Sequence, residues 1–141
     1  MTQLSLLETS YQLAGAMAAI RAAMRATVGA PESEGRKALP DRMNAIARQA
    51  GIRLTQGNQK NISKDTLDKW LSPSDLSHPP SIHALLVFCA ATDCAEPLRV
   101  AARALGFDLM TREDRMLRDY AQAILDEKAA RRRKNKLEKE L

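Results

Sequence analysis

The sequence predicts an all-α fold, on three observations. No segment alternates apolar and polar residues for long, so no strand is read. Apolar residues recur instead three and four positions apart in several separate stretches, the spacing that places them on one helix face. The stretches are also punctuated as helices are. Ser63 and Thr111 stand at starts, Pro80-Ser81 precedes an apolar run, and Gly51 and Gly106 follow ends.

The first helix is expected over about residues 10–28. Leu13, Met17, Ile20 and Met24 form one apolar seam, and seven alanines in this stretch favour helix and allow close helix–helix approach. Residues 29–35, with Gly29, Pro31 and Gly35, break it. A second helix runs from roughly Pro40 to Ala50, with Met43, Ile46 and Ala47 inward and Arg42, Asn44, Arg48 and Gln49 outward. Gly51 ends it. Residues 52–61 read as a polar connector with a turn-like Gln56-Gly57-Asn58. The third helix, Ser63 to Leu71, is short. The Ser63 side chain can satisfy N–H groups left open at the helix start, and Leu67, Trp70 and Leu71 face inward.

Residues 72–80 form a loop with three prolines. The fourth helix covers about residues 81–91, and the fifth about 96–105, closed by Gly106. The last begins at Thr111, where Asp114 three residues on suggests a capping box. Met116, Leu117, Tyr120, Ala121, Ile124 and Leu125 form its apolar face. That stripe stops near Leu125, so residues 128–141 are expected to project or fray. Three regions follow: an N-terminal helix and linker (1–35), a central helical domain (36–109), and a C-terminal helix with a basic tail (110–141).

The composition supports one packed domain. At 45% apolar and 28% charged residues, the 141-residue chain can bury a core. The longest apolar run, residues 84–91, is far short of the ~20 residues of a membrane span. Residues 1–8 lack the basic and apolar regions of a secretory signal, so a cytoplasmic protein without a membrane partner is expected. Cys89 lies among Leu85, Leu86, Val87 and Phe88 and reads as a small buried apolar residue. A disulfide to Cys94 would close a very small loop. His78 reads as loop surface and His83 as a helix side chain. No metal or cofactor is expected, since a zinc site needs about four ligands at local spacing.

Charge distribution says more than the net +5. Residues 128–141 hold seven Lys/Arg against two Glu, and residues 36–69 hold eight basic against three acidic groups, each a local +5. Residues 93–127 hold five basic and eight acidic groups, a local −3. One basic zone therefore coincides with the short third helix, which is the electrostatic footprint of a phosphate-backbone binder. Few aromatics among these cations suit duplex DNA better than single-stranded RNA, which is read by stacking.

The order of the second to fifth helices, about residues 39–105, resembles the helix-turn-helix domains of lambda-repressor and Cro-type phage regulators. The resemblance rests on Ile62-Ser63-x-x-Thr66-Leu67-x-x-Trp70, similar to that family's recognition helix, followed by Pro80-Ser81 and an apolar helix. Ala47 and Gly51 match the small residue and the turn glycine. The connector from Gly51 to Ile62 is longer than the family's, so the resemblance leaves the angle of the third helix open. It implies that Lys64, Asp65, Asp68 and Lys69 touch base edges or the groove. The carboxylates can accept from cytosine N4, cap the helix start, or mark a face that does not bind DNA. Ser63 and Thr66 are read as phosphate contacts or as caps. Asn58, Gln59, Lys60, Arg42 and Arg48 are read as phosphate contacts, and Trp70 as core.

The expected function is sequence-specific binding of double-stranded DNA, as a transcriptional regulator of prophage or mobile-element type, acting as a homodimer. The alternative is a helical interaction protein, adaptor or antitoxin-like, that uses its C-terminal helix. An enzyme is not expected: no glycine-rich phosphate loop, nucleophile–His–acid set or metal cluster is read.

Overall fold

The structure, a computed structural model, describes residues 6–55, 57 and 59–141, with the backbone alone for residues 6–12. Among these residues there are six helices and no strand. They are α1 (Leu6–Val28), α2 (Glu34–Ala50), α3 (Lys64–Leu71), α4 (Ile82–Thr92), α5 (Glu96–Arg103) and α6 (Arg112–Glu140). Two compact units divide between Asp108 and Leu109.

In the first unit α1 packs mainly on α5 and also on α3, while α2 packs on α4 and α3. The core gathers Ile20 and Met24 of α1, Leu39, Met43 and Ala47 of α2, Leu67, Trp70 and Leu71 of α3, and Ala84, Val87 and Phe88 of α4. The apolar seam expected on α1 is split. Ile20 and Met24 are buried, whereas Leu13 and Met17 remain exposed.

The starts of α2, α3, α4 and α6 follow side-chain capping. The Ser33, Ser63, Ser81 and Thr111 hydroxyls accept from the backbone N–H groups of Arg36, Thr66, Ala84 and Asp114. The Thr111–Asp114 pair is a reciprocal capping box despite the acid being Asp. The ends of α2 and α4 use left-handed residues. Gly51 (φ 68°) sends its N–H to Arg48 O, and Ile52 N–H reaches Ala47 O at 2.9 Å, a Schellman arrangement. Asp93 (φ 51°) does the same work after α4, tolerable because a short polar side chain suffers least there.

Three expectations need correction. First, α2 begins at Glu34 rather than Pro40, and Pro40 lies inside it. The Ser33 cap and the inward burial of Arg36 and Leu39 offset the hydrogen bond Pro40 cannot give. Second, residues 52–61 are not merely a polar connector. Leu54 is as buried as Leu39 of α2, and Ile62 closes the segment in the same core. Third, of the two outcomes expected for the basic tail, to project or to fray, the second is set aside, since α6 runs unbroken to Glu140. Its helix is supported locally by i,i+4 pairs, Glu127–Arg131 at 2.9 Å and Lys134–Glu138 at 3.9 Å, and by good helix-forming residues. None of its side chains is buried.

Candidate nucleic-acid interface

The short helix α3 buries Leu67, Trp70 and Leu71 and presents Lys64, Asp65 and Lys69 to solvent. What distinguishes it is how it is held. At its entry, Asn44 of α2 makes two bonds to one residue. Its Nδ2 donates to Ile62 O at 2.9 Å, and its Oδ1 accepts from Ile62 N–H at 2.8 Å. Asn44 is only 8% exposed, so it faces inward, not outward as expected. The side-chain amide supplies one donor and one acceptor, the complement of a backbone unit. The residue before the Ser63 cap is thereby fixed.

The exit of α3 is held from α1. Buried Arg21 sends Nη1 to the backbone oxygens of Lys69 (3.3 Å), Ser72 (2.6 Å) and Asp75. Arg25, one turn on, donates to Leu71 O at 2.6 Å. Cations at a helix C-terminus satisfy its open carbonyls and favour the negative end of its dipole. Beyond it, the Asp75 carboxyl accepts from Ser77 N–H, His78 N–H and the His78 ring, each about 3 Å away. Desolvation pushes the Asp75 carboxyl up, but these bonds outweigh it and hold the group below the usual carboxylate range.

The site residues read from sequence fall into different settings. Lys64, Asp65 and Lys69 are exposed on α3. Asp68 is committed: its carboxylate meets the Arg36 guanidinium at 3.0 Å, tying α3 to α2. Thr66 is half-buried, with its hydroxyl 3.3 Å from the Ser63 hydroxyl, so both serve the cap. Arg42 donates to Ala91 O at 3.1 Å and so closes the end of α4. Gln59, Lys60 and Arg48 are exposed, and Asn58 lies outside the described residues.

Arg48 and Lys60 are brought together with Arg53, which sequence reading passed over. They line a groove between the end of α2 and the connector, with Asn44 and Asn61 among its walls and no carboxylate. Lys60 and Asn61 lead through Ile62 directly into the α3 cap. Three exposed cations without an acid among them are suited to an anion such as phosphate. Arg21, Arg25, Arg36 and Asn44 were also not singled out as structural anchors. Their one sequence signal is a polar residue beside core positions: Arg21 between Ile20 and Met24, Asn44 next to Met43.

Among the described residues no group of three or more His, Cys, Asp or Glu is placed to hold a metal ion, and no helix is long and apolar enough to cross a membrane. Cys89 is buried, which pushes its thiol pKa up. No family model, curated protein or solved structure matches the chain.

Proposed function

We propose that α2 to α5 form a helix-turn-helix core that binds double-stranded DNA sequence-specifically, with α3 as the reading helix and the protein acting as a dimeric regulator of prophage or mobile-element type. The observation that carries this reading is the rigid mounting of α3. An eight-residue helix with polar tips is anchored at entry by Asn44 and at exit by Arg21 and Arg25. Reading a base edge needs side chains held at a fixed angle to the duplex, and a clamped short helix provides that. Lys64, Asp65 and Lys69 are the base-reading set, while Asp68 positions the helix through Arg36. Arg48, Arg53 and Lys60 supply phosphate contacts beside the α3 cap.

The test is selection of binding sites from random duplexes, followed by affinity measurement with Lys64→Ala/Lys69→Ala. The double variant should bind the selected site at least tenfold more weakly, while stability changes by no more than about 0.5 kcal/mol, the usual scale for exposed positions. Unaltered binding removes α3 from the interface. A second reading, a helical interaction protein, is favoured by the exposed apolar residues Met116, Leu117, Tyr120 and Leu125 of α6. It predicts no salt-dependent affinity for any duplex.

A further inference from the structure

The face of α6 that carries Leu117, Tyr120 and Ile124 is apolar, and Leu117 and Tyr120 on it are exposed. These residues recur at three- and four-residue spacing and are flanked by Met116 and Leu125. Ile124 is half-buried, and the other four are each 59–68% exposed. One exposed apolar side chain needs no explanation, but five within ten residues of a strongly polar helix mark an interaction surface.

The charges on either side of this face decide what covers it. Glu113, Asp114 and Arg115 precede it, and Asp126, Glu127, Lys128 and Arg131 follow it. Overlaying residues 116–125 on those of an antiparallel second α6 sets Glu113 opposite Lys128 and Arg115 opposite Asp126, against one like pair, Asp114 and Glu127. Two opposite pairs thus outweigh one like pair at each end. A parallel pair sets each of these charges against its own copy and lays two tails of seven cations side by side. In the antiparallel pair the tail centres lie roughly 40 Å apart at 1.5 Å per residue, several times the Debye length of about 8 Å at physiological salt. Small Ala121 beside large Tyr120 also lets the helices approach closely at the middle of the overlap.

We propose that α6 pairs with α6 of a second copy of this chain, antiparallel, over about residues 112–128. This gives the dimer of the preceding section its face and its sense, and it does not depend on α3 touching DNA.

Sedimentation equilibrium of the full chain gives the first test. The protein should be dimeric at micromolar concentration, and Leu117→Lys/Ile124→Lys should be monomeric with unchanged helix content. A monomer at all concentrations, or a dimer that survives the double substitution, overturns the proposal. The second test reads the sense. A spin label on Ala130→Cys, in a Cys94→Ser background that leaves only buried Cys89, should report an inter-label distance of roughly 30 Å for antiparallel helices, from 1.5 Å per residue. A distance near that of adjacent helices, about 10 Å, overturns it. Either failure leaves the α3 result untouched, because the α3 variants are scored on DNA affinity.

Discussion

Replacing Asn44 by alanine removes both hydrogen bonds that fix Ile62. The backbone N–H and C=O of Ile62 are then left without partners at a buried residue. A neutral hydrogen bond contributes about 1 kcal/mol net, and each group left unpaired in the interior costs about 1–3 kcal/mol. Two such groups give on the order of 2–6 kcal/mol. Asn44 also lines the groove beside α2, so water can reach part of the vacated site and offset some of the loss. The expected destabilisation is therefore about 2–4 kcal/mol.

Urea unfolding monitored at Trp70, which lies in the same core, measures it. The midpoint should fall while the slope stays constant, as it does when stability alone changes. Asn44→Asp separates the two bonds. Its carboxylate still accepts from Ile62 N–H but cannot donate to Ile62 O, so it should fall between wild type and alanine. A loss below about 0.5 kcal/mol for Asn44→Ala, the scale of a surface change, would refute the view that this amide anchors α3.

Arg21→Ala should destabilise the first unit by about 2–3 kcal/mol, because carbonyls beyond α3 lose a charged donor; Arg21→Lys should recover part of this in the same urea assay. Trp70→Ala should cost on the order of 3–5 kcal/mol, since Trp70 is 5% exposed in the core. A stable Trp70→Ala protein that has lost DNA binding would instead make it a surface contact. Deleting residues 128–141 should leave the melting of the first unit unchanged, since α6 buries no side chain. If the tail touches phosphate, the truncated protein binds every duplex more weakly, with a shallower salt dependence and unchanged sequence preference. Equal slopes exclude the tail as a DNA contact.

Much of the helical architecture was legible in the sequence because caps and apolar spacing are local signals. Ser63, Ser81 and Thr111 each announced a helix that the structure contains. The start of α2 was missed because Pro40 is a strong local stop, and only tertiary burial of Arg36 and Leu39 overrides it. The role of residues 52–61 was missed for a related reason. Leu54 has only Ile52 near it and Ile62 stands alone among polar residues, too few to form a period that would reveal that both reach the core. For the candidate site, the outward residues of α3 were readable from helical spacing, and Asp68 was not readable as a tie. Its partner Arg36 is 32 residues away and precedes the residues expected to form the second helix.

The anchoring pattern changes what counts as the smallest unit with an ordered α3. Sequence reading sets residues 1–35 apart, as a helix beside the domain. Yet the carbonyls at the exit of α3 are bonded by Arg21 and Arg25, and Ile20 and Met24 of the same helix lie in the core. Those side chains project from consecutive turns of one face, so α1 cannot be removed without leaving the α3 exit open and the core unfilled. The entry of α3 depends in turn on α2 through Asn44 and on the Arg36–Asp68 pair. A long connector would ordinarily leave a short helix free to vary its angle. Here that freedom is taken away by four side chains from two other helices, not by the length of the turn. The orientation of Lys64, Asp65 and Lys69 is thus a tertiary property of α1, α2 and α3 together.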